Sequence, residues 1–145
     1  MSENQGFSEA EKAAMKARAE ELRGKNKVDP LTQLLDAISQ MDVGDQKLAK
    51  KIHELVMKHA PDLKPKTWYG MPAYANKAGK ALIFFQAASK FDSRLATFGI
   101  SEHANIDKGK MWPTSWSLTE IDQEVEKQLV ELISLVASQH QQSQE

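Results

Sequence analysis

The chain of 145 residues has the usual length of one domain, and its hydrophobic (41%) and charged (27%) fractions are typical of a globular protein. Its net charge of −1, from 19 basic and 20 acidic residues, gives no electrostatic reason to expect nucleic acid or an anionic membrane as a partner. Because the chain contains no cysteine, disulfides, thiolate nucleophiles, iron–sulfur clusters and thiolate zinc sites are excluded.

The sequence contains no recognisable membrane or targeting signal. No apolar run approaches the roughly 20 residues that a membrane-spanning helix requires, and residues 1–5 have neither the basic nor the apolar stretch of a signal peptide. We therefore expect a cytoplasmic protein whose partner is a small molecule or another protein. The sequence leaves both a monomer and a dimer open.

The N-terminal segment predicts one peripheral helix. Ser8 and Glu11 have the spacing of a capping box, and the alanine-rich run after them ends at Gly24. Because this run has few large apolar side chains, the helix would bury little surface. Residues 25–27 are interpreted as a linker, so residues 1–27 lie outside the main domain.

The next two helices form a predicted antiparallel pair. Asp29 supplies a capping acceptor and Pro30 a proline at the first helical position, and apolar residues follow at helical spacing through residues 31–41. Residues 42–45 end this helix and cap the next one, which ends before Pro61. A helical hairpin is the expected result.

Short aromatic and β-branched segments then replace the helical pattern. The predicted strands are Thr67–Ala75, Ala81–Ala87, Arg94–Ile100 and Thr114–Leu118. The second strand is apolar on both faces and should be central in an antiparallel sheet. Residues 76–80 are interpreted as a hairpin turn, and residues 101–111 as a polar loop with room for one helical turn.

The C-terminal segment predicts one further helix, which completes the fold. Ser117–Glu120 has the form of a second capping box, and the apolar residues of 121–136 recur at spacings of three and four. The polar residues 139–145 are expected to fray. The predicted fold is α+β, with a sheet of about four strands, an N-terminal helical hairpin and a C-terminal helix packed on it, in one domain over residues 28–138.

The densest group of aromatic residues is Trp68–Tyr74, which also contains Gly70 and Pro72. Trp68 and Tyr69 should face opposite sides of an extended strand, and the Gly-Met-Pro segment after them should form a corner. A second aromatic group spans Trp112–Trp116. Aromatic residues of this kind either fill the core or line a pocket.

Together with polar residues of the loops, the two aromatic groups predict a pocket for a small ligand or a partner protein, with no catalytic residue assigned. The predicted pocket residues are Trp68, Tyr69, Met71, Pro72, Tyr74, Phe85, Lys90, Phe91, Arg94, His103, Asn105, Asp107, Trp112 and Trp116. A non-catalytic binding module is therefore the leading hypothesis.

An enzyme is the third-ranked hypothesis, because His103 and Asp107 could serve as a base and its orienting carboxylate. A zinc-protease helix is not indicated: His53 and His59 are six residues apart, whereas two ligands on one helix face must be four apart. We interpret His59 as packed on the apolar stripe and His53 as a surface residue.

A metal-binding protein is the second-ranked hypothesis, ahead of the enzyme. Four carboxylates, Glu120, Asp122, Glu124 and Glu126, stand at the start of the last helix. Acidic residues there are favourable against the helix dipole without any ligand. The alternative is a weak, hydrated site for a hard cation such as iron(II).

A set of residues spread over the chain resembles a known family. The set is Pro61-Asp62-Leu63, Trp68–Tyr74, Phe84-Phe85-Gln86, Lys90-Phe91, Arg94, Ala96-Thr97, Gly99, Ala104-Asn105, Asp107, Gly109 and Met111-Trp112-Pro113. It is similar to the bacterial domain-of-unknown-function family 1801, the YdhG-like proteins, over about residues 30–137. The resemblance implies an α+β, frataxin-like fold, and some relatives are described as iron chaperones. Frataxin-like delivery uses an acidic ridge on an early helix, where this chain has the basic segment Lys47–His53.

Overall fold

The fold is α+β, with four helices and a five-stranded antiparallel sheet, in a computed structural model that describes residues 6–23 and 28–143. The helices are α1 (Glu9–Arg23), α2 (Pro30–Ser39), α3 (Val43–His59) and α4 (Gln123–Ser143). The strands are β1 (Lys64–Trp68), β2 (Met71–Ala75), β3 (Ala81–Gln86), β4 (Ala96–Ile100) and β5 (Ser115–Leu118). The strands pair in sequence order, so β3 is central, as predicted.

The capping box of α1 is confirmed by two reciprocal hydrogen bonds. The Ser8 amide donates to Oε1 of Glu11 at 2.9 Å, and the Glu11 amide donates to Oγ of Ser8 at 3.0 Å. Of the described α1 residues, Ala14 is the buried one. The predicted helix stop at Gly24 and the linker at residues 25–27 lie outside the described residues.

The helical pair α2 and α3 is also confirmed. The Thr32 amide donates to Oδ2 of Asp29 at 3.2 Å, which caps α2. The buried side chains of both helices join the main core; they are Leu34, Ile38, Leu48, Ala49, Ile52, Leu55 and Val56. Asp45, predicted within the capping segment of α3, is instead buried, and it bonds the connection between β3 and β4.

The segment predicted as the single strand Thr67–Ala75 is a β-hairpin, which raises the strand count from four to five. Its turn is Tyr69-Gly70, with φ angles of 54° and 77°, as a two-residue type I′ turn requires. The prediction of a corner at Gly-Met-Pro is therefore wrong. Met71 and Pro72 lie in β2, where Pro72 pairs with Thr67 of β1.

The two faces of the sheet differ in what packs on them. Tyr74, Ile83, Phe85, Phe98 and Ile100 alternate onto one face and join the core that α2, α3 and α4 cover. On the other face, the half-buried rings of Trp68 in β1 and Phe84 in β3 lie 5.3 Å apart, and Phe84 lies opposite Gly99 of β4. The helical core therefore fills one face of the sheet, and an aromatic pair lies on the other.

The start of α4 corrects a second sequence prediction. Ser117 and Leu118, the first half of the predicted capping box, belong to β5, where Ser117 pairs with Thr97. Asp122 caps the helix instead, and its Oδ1 accepts from the Val125 amide at 2.9 Å. The helix continues as far as Ser143, beyond residue 138 where fraying was predicted. Within the described part of the chain, no helix combines the length and apolar character needed to span a membrane.

The buried Tyr74 and the half-buried His53 beside it give a testable pH dependence. Nδ1 of His53 lies 2.9 Å from the hydroxyl oxygen of the fully buried Tyr74. His53 is thus half-buried on the core face of α3, not the surface residue predicted from sequence. Burial lowers the pKa of His53 below its ordinary 6.5 and raises the pKa of Tyr74.

We expect the free energy of unfolding to fall as pH drops below about 6.5, because the unfolded chain then binds a proton that the folded His53 resists. Urea unfolding at pH 7.5 and at pH 5.5, compared between the wild type and His53→Gln, measures this. The variant should lose less stability across that interval than the wild type. His103→Gln, at an exposed position, is the control and should behave as the wild type. Equal losses in all three proteins would contradict the assignment.

Candidate functional site

The antiparallel order of the strands gives the sheet two distinct ends. The Tyr69-Gly70 turn and the connection between β3 and β4, residues 87–95, lie at one end, which we name the turn end. The hairpin at residues 76–80 and the connection between β4 and β5, residues 101–114, lie at the other, the loop end. A side chain's position along the chain therefore fixes the end at which it can act.

The residues of the predicted pocket are divided among these regions. Met71, Pro72, Tyr74 and Phe85 are buried in the protein interior. Trp68, Tyr69, Lys90, Phe91 and Arg94 lie at the turn end, whereas His103, Asn105, Asp107 and Trp112 lie at the loop end. Trp116 lies in β5, and its ring centroid is 6.0 Å from that of Phe98. The fold brings together two partial sets, not one pocket.

A cleft of about 540 Å³ opens at the loop end, and we name it the loop cleft. Its lining residues are Ile100, Ser101, Glu102, Asn105, Ile106, Asp107, Lys110, Met111, Trp112 and Thr114. This volume falls within the roughly 300–1,000 Å³ of ligand sites. Asn105, Asp107 and Trp112 are the predicted pocket residues that the fold places here.

The inner wall of the loop cleft is tied to the sheet by backbone and hydroxyl hydrogen bonds. The Ser101 amide donates to the Leu82 carbonyl at 2.9 Å, and the Ser101 hydroxyl donates to the Ala81 carbonyl at 2.5 Å. A 3₁₀ turn over Glu102–Ala104 follows, with Ala104 buried beneath it. Asn105 ends that turn in the left-handed region, with φ at 57°. The cleft is therefore built on a fixed support.

The rim of the loop cleft carries polar side chains that form no hydrogen bond or ion pair within the described part of the protein. Asn105, Asp107 and Lys110 are exposed, and in the described structure their side chains make no hydrogen bond or ion pair with the protein. Beside them lie the half-buried indole of Trp112 and the side chain of Met111, which is 91% exposed. Donors, acceptors, a flat ring and a flexible apolar side chain thus meet at one opening.

His103 and Asp107 lie close in sequence, but their side chains are not joined in this structure. No hydrogen bond joins their side chains, and His103 is exposed and absent from the cleft lining. The His103 amide donates to the Ser101 hydroxyl at 3.3 Å, which is a turn contact. A base needs hydrogen-bond reach to its proton and an orienting partner. In the described residues, the His103 side chain has no hydrogen bond to an orienting partner.

The carboxylates at the start of α4 are partly engaged by the protein. Asp122 caps the helix, and Glu126 forms an ion pair with Lys51 of α3 at 3.1 Å, which raises the pKa of Lys51. Among residues 6–23 and 28–143, no three side chains of His, Asp or Glu converge on a point that could hold a metal ion. Helix capping therefore accounts for Asp122, and ion pairing accounts for Glu126.

A second cleft, of about 580 Å³, lies at the turn end between α1, α2 and β1, and we name it the turn cleft. Beside it, the Tyr69 and Gly70 amides donate to the two carboxylate oxygens of Glu21, at 3.1 and 3.2 Å. Nζ of Lys90 donates to the Gly70 carbonyl at 2.8 Å. Of these residues, Tyr69 and Lys90 were predicted and Glu21 was missed.

Arg18 completes the surroundings of the turn. Its guanidinium lies 3.5 Å from Glu21 and 5.4 Å from the centroid of the Tyr69 ring. Burial lowers the pKa of Lys90 below its ordinary value, and the negative charge of Glu21 offsets part of that lowering. No local pattern in the sequence signals these contacts, because α1 and the turn are about 50 residues apart.

Comparison of the chain with protein-family models, with curated proteins and with solved structures finds no match. The resemblance to the YdhG-like proteins therefore rests on the residues of the sequence alone.

Proposed function

We propose that this chain is a cytoplasmic, non-catalytic binding module that holds a small ligand in the loop cleft. The observation that carries the proposal is the set of unpartnered polar side chains, Asn105, Asp107 and Lys110, beside the indole of Trp112. A ligand that pairs these groups would also cover Met111, whose 91% exposure is otherwise a cost in water. Membership of the YdhG-like family, suggested by the residues quoted above, belongs to the same proposal.

The chemistry of the rim defines the ligand class. Asn105 can both donate and accept, Asp107 accepts, and Lys110 donates. Trp112 offers a flat apolar surface that favours a ring packed against it. The ligand is therefore a small ring compound, aromatic or sugar-like, with donors and acceptors along its edge. Reversible binding fits this set, because among the described lining residues no hydroxyl or amine is hydrogen-bonded to a side-chain base.

The three tryptophans allow a direct test, because they occupy three different sites. We expect a ring compound that binds to shift the ¹⁹F signal of Trp112 in fluorotryptophan-labelled protein. The signals of Trp68 at the turn end and Trp116 in β5 should stay in place. Phenylalanine substitution at each position assigns the signals, and a library of polar-edged ring fragments serves as the probe set.

Substitutions at the rim should weaken the strongest fragment selectively. Trp112→Ala should raise its Kd by about two- to tenfold, since an aromatic contact contributes roughly 0.5–1.5 kcal/mol. Asp107→Asn should also weaken it, whereas Lys108→Ala, which changes an exposed neighbour outside the cleft lining, should not. If bound fragments shift Trp68 or Trp116 alone, or if no fragment shifts Trp112, the proposal is wrong.

A further inference from the structure

The Tyr69-Gly70 turn presents two neighbouring backbone amides that the sheet does not use. In a two-residue hairpin, the amides of both turn residues point away from the strand pairing, and adjacent amides of this kind form a concave site for an anion. Here each amide meets one oxygen of the Glu21 carboxylate, at 3.1 and 3.2 Å. The geometry is that of a two-pronged carboxylate receptor.

Positive charge surrounds the receptor on two sides. Arg18 lies 3.5 Å from Glu21, and Lys90 is fixed 2.8 Å from the Gly70 carbonyl. Glycine suits this position mainly because its φ of 77° disfavours a side chain, and a Cβ there would also lie 2.9 Å from Nζ of Lys90. The side chain of Glu21 is only 13% exposed, so the carboxylate is held in a largely enclosed place.

The carboxylate that fills the receptor belongs to α1, a helix that buries few apolar side chains. Ala14 is the buried residue of α1, whereas Phe7 before the helix, and Met15 and Leu22 within it, are 51%, 45% and 69% exposed. Undocking α1 would therefore expose little additional apolar surface. The turn cleft of about 580 Å³, lined by Ala17, Glu20 and Glu21 of α1, lies directly beside the contact.

We propose that the Tyr69-Gly70 turn is a binding site for a ligand carboxylate, which Glu21 occupies in this structure, so that α1 acts as a displaceable lid. A ligand carboxylate would accept the same two amide hydrogens, with its charge near Lys90 and Arg18, while the rest of the molecule enters the turn cleft. The exchange of one carboxylate for another conserves the hydrogen bonds of the turn. The site lies at the opposite end of the sheet from the loop cleft, so the two proposals stand or fall separately.

The first test vacates the site and titrates it with acetate. In Glu21→Ala, the amide ¹⁵N–¹H signals of Tyr69 and Gly70 should shift saturably with sodium acetate, with a Kd at least tenfold below that of the wild type. Sodium chloride at the same ionic strength should not reproduce the shifts. Glu20→Ala is the matched control, because Glu20 lines the turn cleft without bonding the turn, and it should behave as the wild type. Equal responses to acetate and chloride would overturn the proposal.

The second test needs no variant and separates a lid from a fixed structural contact. Acetate at a concentration that saturates the turn amides of the wild type should accelerate amide hydrogen exchange in α1 several-fold. Exchange in β3 and β4 should be unchanged, because the sheet is not opened. If the turn amides saturate while exchange in α1 stays the same, Glu21 is not displaced and the proposal is wrong.

Discussion

Replacing Asp45 by alanine should lower the free energy of unfolding by about 2 kcal/mol, since three hydrogen-bond donors of the connection after β3 then lose their charged acceptor. Oδ1 accepts from the Ala88 amide at 3.3 Å, and Oδ2 accepts from the amide and hydroxyl of Ser89 at 3.1 and 2.6 Å. Asp45 itself is 7% exposed. One carboxylate thus joins the start of α3 to the connection between β3 and β4.

Urea unfolding at pH 7 measures the effect, with two graded comparisons. Ser89→Ala removes only the hydroxyl donor and should cost about 1 kcal/mol. Asp45→Asn keeps the shape and one acceptor oxygen, so its cost should lie between those of the other two variants. Asp36→Ala, at an exposed position of α2, should change the stability by less than about 0.5 kcal/mol. A loss for Asp45→Ala no larger than this control would contradict the structural role.

The role of Asp45 also shows which contacts the sequence alone does not predict. The helices were predictable because their signals are local: Ser8 meets Glu11 and Asp29 meets Thr32 within one helical turn. By the same local rule, an aspartate near the start of α3 is interpreted as part of a cap. Its actual partners, at positions 88 and 89, are more than 40 residues away. Only the fold brings them together.

The hairpin turn was missed for a related reason. A type I′ turn needs positive φ at both of its residues, and tyrosine is an unfavourable residue for that conformation. The aromatic, apolar run around Tyr69 therefore favours one continuous strand. The contacts of Glu21 and Arg18 from α1 support the turn in the folded protein. A tertiary contact has thus overridden the local preference for a strand. Because that contact joins residues about 50 positions apart, no short stretch of the sequence could reveal it.

The candidate site was predictable in its residue types and not in its grouping. Asn105, Asp107 and Trp112 were identified because polar loops after strands commonly carry binding residues, and they do line one cleft. Lys90 was placed in the same predicted pocket, but it lies at the turn end, against Gly70. Aromatic and polar density shows that a segment is unusual. Strand pairing decides the end of the sheet at which its side chains lie.

The other large effect is expected at Gly99, where a single methyl group should cost about 2 kcal/mol of unfolding free energy. A Cβ on Gly99 would overlap the ring carbons of Phe84 on the facing strand. The Gly99 backbone itself does not require glycine, because its φ lies outside the left-handed region. Phe84 cannot move aside freely, since its ring also packs 5.3 Å from that of Trp68. The expected loss is therefore steric and belongs to one pair of side chains.

A double-mutant cycle separates that steric cost from any backbone effect. Gly99→Ala should be destabilising in the wild type and close to neutral in a Phe84→Ala background, with a coupling energy of at least about 1 kcal/mol between the two positions. Gly44→Ala is the matched control, because a Cβ there meets nothing within 4 Å and alanine favours the helix α3. It should stabilise the protein or leave it unchanged. Gly99→Ala could instead cost the same with and without the Phe84 ring. The ring would then not be the reason that position 99 needs glycine, and the packing assigned to this face of the sheet would be wrong.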